Sequence, residues 1–195
     1  MNTNEIAGTT VSSMLFLLMM KMMTNDLPHA VGLIAPKAIP ITGINVDTIT
    51  DSLGRSIDPG IKRAVVLFNS AGLVTSGSCE GHIENAVPNP YVDFDFNSQS
   101  EYVSLLLKFT KLKLEFSRAN SINPAYSINL WTIGGHGSNG FIRVTTLPED
   151  QYEQLTEDFK KTGFHTPYGM TPAAYKSKAL ETIDKFAAFC LAKKI

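Results

Sequence analysis

The chain has 195 residues, of which 17 are Lys or Arg and 18 are Asp or Glu. That length suffices for one domain with a substantial core, and the balanced charge excludes the basic excess of a protein that grips nucleic acid over many phosphates. Charged residues make up 18%, below the ~25% usual for globular domains, which fits extra buried surface in a homo-oligomer.

The first predicted element is an apolar helix over residues 11–23, with Met14, Leu15, Phe16, Leu17, Leu18, Met19 and Met20 unbroken. The run is shorter than the ~20 residues of a membrane span, and Lys21 interrupts it. Glu5 precedes it and no basic residue does, so the charged start of a secretory signal is missing. A helix apolar nearly all round needs burial. Residues 1–26 are therefore expected to form a packing or homo-oligomer element, with a membrane-associated or cleaved segment the lesser alternative, and residues 27–195 a single α+β domain.

Residues 27–40 carry Pro28, Gly32, Pro36 and Pro40 and read as an extended connector. Residues 39–46 suit an edge strand, and a turn is expected at 51–54. Asp58 then sits where a helix cap belongs and Pro59 at the first helical position. Ile61, Ala64, Val65, Phe68 and Ala71 follow at helical spacing, stopped by Gly72. Residues 73–76 are expected as a strand, and 91–96 as the next. Ser98 with Glu101 forms a capping-box pattern for a helix through Thr110.

Residues 111–118 alternate, with Leu112, Leu114 and Phe116 on one side and charge on the other; they read as a half-buried strand. Lys108, Lys111, Lys113 and Arg118 would form a local basic patch around it. Residues 126–133 and 141–146 read as two further strands, joined by the glycine-rich loop 134–140. Pro148 opens a helix with Tyr152, Leu155 and Phe159 inward, ending at Gly163. Thr171 and Pro172 open a last helix carrying Tyr175, Ala179, Ile183, Phe186 and Cys190. Strands and helices mix without strict βαβ alternation, which predicts an α+β fold with a mixed, largely antiparallel sheet of five to six strands.

The chemistry concentrates in residues 73–82, Leu-Val-Thr-Ser-Gly-Ser-Cys-Glu-Gly-His. Three readings compete for it. Cys79 and His82 have a Cys-x-x-His spacing, but a zinc site takes three or four ligands. Glu80, Asp93, Asp95 or His136 would have to complete the set from elsewhere, so no metal is assigned. Alternatively Cys79 is a nucleophile activated by His82 or by a helix N-terminus, with Glu80 beside it. The third reading, and the leading one, is a polar cradle of Thr75, Ser76, Ser78 and the N–H groups near Gly77 and Gly81, of the kind that accepts an anion. It is not a Walker loop, because no Gly-Lys-Ser/Thr follows.

Other residues enlarge that site or have plainer roles. The loop 134–140 offers His136, Ser138 and Asn139 if it faces the first loop; otherwise it is a hairpin connection. Asp93 and Asp95 alternate with Val92, Phe94 and Phe96 and read as a wet strand face, or as cleft carboxylates if that face lines the site. Arg143 points to the polar side of its hairpin, as a solvated residue or an anion clamp. Trp131 is expected to anchor the sheet, and His29 and His165 to pack or solvate. Cys79 and Cys190 are expected as reduced thiols in a cytoplasmic protein. No cofactor is specified.

The series Ile57-Asp-Pro, Asn69-Ser-Ala-Gly, Thr75, Ser78-Cys-Glu-Gly-His and Pro90-Tyr-Val-Asp-Phe resembles a family of small bacterial and phage proteins of unknown role. These share a Ser-Cys-x-Gly-His loop followed by Pro-Tyr-x-x-Phe. More distantly it is similar to the tRNA methyltransferases of wybutosine synthesis, with Glu80 in place of a serine and His82 in place of an arginine. The likeness spans residues 57–96, with a fainter echo over 141–164. It implies a shared fold and, for a phage protein, sequestration of a host signalling nucleotide. Methyltransferase-like modification of a nucleotide or RNA by Cys79, Glu80 and His82 is the enzymatic alternative, and an oligomer without a ligand the structural one.

Overall fold

The computed structural model describes residues 50, 54, 56–83, 87–120, 127–134, 139–162 and 169–193, apart from the side chains of Phe159 and Thr162. The expected apolar helix at 11–23, the connector at 27–40, the strand at 39–46, and His29, His136, Ser138 and His165 lie outside these residues. Thr50 and Ser56 form an antiparallel bridge that flanks the expected turn.

Helix α1 (Pro59–Ser70) starts where Asp58 and Pro59 predict, and Ile61, Ala64, Val65, Val66, Leu67 and Phe68 are buried. Gly72, at φ 78°, follows its end, and Leu73 donates its N–H back to the Phe68 carbonyl, a helix stop that glycine makes cheap. The strand expected at 73–76 begins three residues later, as β1 (Gly77–Cys79). Asn69 explains the delay. Its side chain donates to Thr75 Oγ1 at 2.8 Å and accepts the Thr75 N–H at 3.3 Å, which holds 73–75 as an arm against α1. Pairing starts only at Ser76, whose N–H meets the Asp93 carbonyl.

Strand β2 (Tyr91–Phe96) pairs antiparallel with β1, setting Cys79 opposite Tyr91 and Gly77 opposite Asp93. Helix α2 follows, and it overturns one expectation: it runs unbroken from Gln99 to Asn120, so 111–118 is helix and not strand. Leu112 and Phe116 satisfy a period of two, but with Phe109 they also satisfy the helical period, and these three are its buried residues. Lys, Leu and Glu favour helix, and no Gly or Pro falls within residues 99–120. Lys108, Lys111, Lys113 and Arg118 are thus helical residues and do not share one face, and burial pushes the half-buried Lys113 ammonium down.

Strands β3 (Asn129–Gly134) and β4 (Gly140–Thr145) complete an antiparallel sheet of order β1-β2-β4-β3. The described residues hold one four-stranded sheet; of the further strands expected, 111–118 is helical and 39–46 lies outside the described residues. Helices α3 (Glu149–Thr162) and α4 (Pro172–Ala192) follow. Val92, Phe94, Phe96, Ile142 and Val144 share one sheet face and join residues of α1, α2 and α4 in the main core. Phe94 meets Phe68 edge-on at 5.1 Å and Phe109 at 4.7 Å; Phe116 meets Phe186 at 5.2 Å.

The opposite face carries Trp131, as expected, packed with Val87 and Leu147 and against Tyr152 of α3. Its indole N–H donates to the Leu147 carbonyl at 2.8 Å. No described helix is long and apolar enough to cross a membrane.

Candidate functional site

The residues singled out in the sequence fall into three neighbourhoods, not one pocket. The first is at the start of α1. Asp58, Cys79 and His82 each present a ligand atom, and these atoms lie within 4.8 Å of one another. His82 Nε2 stands 3.7 Å from Asp58 Oδ2. Asp58 makes no side-chain cap bond to its own helix; it accepts the Glu80 N–H at 3.1 Å. Glu80 turns the other way, accepting the Gly60 N–H at 2.8 Å and pairing with Lys176 Nζ of α4 at 2.7 Å. Gly60 lets the Glu80 carboxylate approach closely: a β-carbon there would stand 2.7 Å from it, and the Glu80 side chain would have to shift.

The turn after Cys79 depends on Gly81, at φ 77°, where a β-carbon would meet the Asn89 backbone nitrogen at 2.9 Å. This turn lets the Gly81 N–H donate to Cys79 Sγ at 3.3 Å and leaves His82 exposed. Burial pushes the Cys79 thiol up, and Asp58 and Glu80 add to that against the Gly81 N–H. A ready-made thiolate nucleophile is therefore disfavoured. The Glu80 carboxyl is held below its usual range, first by its hydrogen bond from Lys176 and then by Gly60.

The second neighbourhood is the outer sheet face. Arg143 Nε and Nη2 donate to Asp93 Oδ1 and Oδ2 at 2.8 and 2.9 Å, and the guanidinium lies 3.5 Å over the Tyr91 ring. Asp93 is 7% exposed, so it is not the wet residue that alternation suggests; Asp95 is exposed. Burial pushes the Asp93 carboxyl up, opposed by Arg143. Arg143 is thus largely buried, and the Nε–Nη2 edge of its guanidinium is occupied by Asp93. Ser78 pairs with Val92, on the other side of the strand from Cys79.

The third is a groove of about 520 Å³ between 72–76, the end of β2 and α2. Thr75, Ser76 and Asp95 line it, together with Asn97, Glu101, Ser104 and Lys108, and Leu73 and Leu105 add apolar wall. A more open hollow nearby shares Asp95 and Asn97 and reaches Asn139, from the second glycine-rich loop. The sequence reading includes neither Asp58 nor Lys108 in the site. Asp58 reads as a helix cap, and the alternation over 111–118 draws Lys108 into a strand patch.

Comparison of the chain with protein-family models, curated proteins and solved structures finds no match.

Proposed function

We propose that this protein binds a small anionic, nucleotide-like ligand in the groove between 72–76 and α2. The observation that carries the reading is the placing of Lys108 in the same groove as Thr75 and Ser76. Ammonium and hydroxyl donors together suit a phosphate. Thr75 Oγ1 accepts from Asn69, which leaves its hydroxyl proton to donate. Asp95 and Glu101 supply acceptors for sugar hydroxyls or a base amine, and the groove falls within the ~300–1,000 Å³ usual for such ligands. The ligand contacts expected of Cys79, Glu80, His82, Asp93 and Arg143 are not part of this reading. The setting we infer is cytoplasmic, with both cysteines as free thiols, and residues 1–26 joining copies of the chain. Sequestration of a host signalling nucleotide is the biological role that fits.

The test is the thermal midpoint of the full chain with a nucleoside monophosphate, a triphosphate, a cyclic dinucleotide and inorganic phosphate. A saturable rise with one nucleotide, lost in Lys108→Ala while the circular dichroism is unchanged, supports the reading. It fails if no nucleotide moves the midpoint, or if Lys108→Ala responds as the wild type does.

A second reading, a nucleotide- or RNA-modifying enzyme, draws support from the convergence of Cys79 and His82 with Asp58. Turnover of a nucleotide substrate that vanishes in His82→Ala would favour it over simple capture.

A further inference from the structure

We propose that Asp58, Cys79 and His82 form a divalent-metal site suited to Zn²⁺, with a fourth position open to solvent. The inference is independent of the groove, since none of the three residues lines it. Each ligand arrives from a different piece of chain: Asp58 precedes α1, Cys79 ends β1, and His82 follows the Gly81 turn. Only tertiary structure brings the carboxylate to the Cys-x-x-His pair.

The geometry is close to what the ion needs. Ligand atoms about 2.0–2.3 Å from a tetrahedral zinc lie roughly 3.3–3.8 Å from one another. The observed spread reaches no further than 4.8 Å, and the His82–Asp58 separation is 3.7 Å. Small side-chain rotations close the remainder. His82 is exposed, so its rotamer is free to adjust without disturbing the core.

Donor chemistry selects the metal class. One sulfur, one imidazole nitrogen and one carboxylate oxygen match zinc and the neighbouring thiophilic transition metals, whereas Mg²⁺ and Ca²⁺ prefer oxygen alone. On binding, the Sγ–H bond of Cys79 breaks, its proton passes to solvent, and sulfur donates the electron pair to the metal. Thiolate and carboxylate together then balance the two positive charges.

The surroundings orient the ligands as an outer shell does. The Glu80 N–H holds Asp58 Oδ2, and the Gly81 N–H holds Cys79 Sγ. Glu80 itself is kept off the metal by Lys176 and Gly60. Three protein ligands beside an exposed histidine leave room for a water, which is the pattern of an open zinc site and not of a closed structural one.

The full-length chain, stripped with a chelator and titrated with Zn²⁺ and then Co²⁺, tests the site. The expected result is one zinc per chain and a near-ultraviolet thiolate-to-cobalt band. His82→Ala, which removes an exposed side chain, should weaken zinc binding at least tenfold. Cys79→Ser should abolish the cobalt band, while Cys190→Ala and Lys108→Ala keep it. The proposal is overturned if the wild type binds no zinc, if the cobalt band survives Cys79→Ser, or if His82→Ala leaves affinity unchanged. Loss of nucleotide binding in Lys108→Ala with the cobalt band intact would separate this site from the groove.

Discussion

Asp58 and Glu80, 22 residues apart, are coupled at the start of α1. Asp58 Oδ2 accepts the Glu80 N–H at 3.1 Å, and Glu80 Oε2 reaches past Asp58 to accept the Gly60 N–H at 2.8 Å. The pair satisfies one N–H of the first helical turn and one of the Cys79 loop, a cap supplied across tertiary structure instead of from within the turn. A negative carboxylate at the helix start also suits the helix dipole. It ties the Cys79 strand to the helix, and through Lys176 to α4.

Glu80→Ala should therefore lower stability by about 1–2 kcal/mol, the usual cost of a lost cap. Glu80→Gln keeps an acceptor for Gly60 and should lose less. Urea unfolding of the three proteins measures the difference, and equal stability of Glu80→Ala and wild type would contradict the cap.

The Asp93–Arg143 pair should be costly to break. Removing one member of a buried ion pair leaves the other uncompensated, at about 3–5 kcal/mol. Arg143→Leu is expected in that range. Arg143→Lys should also destabilise, because lysine cannot make two parallel bonds to Asp93 or stack as a flat group on Tyr91. Denaturant midpoints decide this; a Lys variant as stable as wild type would show that the fork adds nothing.

Helix and strand at 111–118 predict different outcomes for one substitution. Lys111 is exposed and lies inside α2, so Lys111→Pro removes a helical hydrogen bond and adds a clash, costing about 3 kcal/mol. On an edge strand with its N–H facing water the same change would be mild. Far-ultraviolet circular dichroism with a thermal melt separates the two.

Cys190 should make the protein sensitive to alkali. Burial pushes its thiol from the ordinary 9.0 up to about 12, so the folded state holds the proton after the unfolded state has released it. Its stabilising contribution is thus whole below pH 9.0 and fades as pH rises towards 12. The stability advantage of wild type over Cys190→Ala should shrink by roughly 1 kcal/mol between about pH 8 and 10. Urea titrations at the two values check it, and a constant difference would argue against a buried protonated thiol.

Helices α1 and α4 and strand β2 were legible in the chain because their information is local. Pro59 and Gly72 bracket one helix, Thr171 and Pro172 open another, and the buried residues Tyr175, Ala179, Ile183, Phe186 and Cys190 keep one helical face. Period, cap and breaker lie within a few residues of one another, so no distant contact is needed to read them. Residues 111–118 fit two periods at once, and packing of Phe109, Leu112 and Phe116 in the core decided for helix.

The candidate site divides the same way. That a thiol, a carboxylate and an imidazole crowd residues 79–82 beside two glycines is plain from the order of residues alone. Where those groups point was settled by the fold: Glu80 to Gly60 and Lys176, and Cys79 and His82 towards Asp58. Likewise Asp93 looks like a solvent residue until β4 sets Arg143 opposite it. Backbone periodicity is a short-range property, whereas a side chain's partner depends on strand register and helix docking, which only the folded chain supplies.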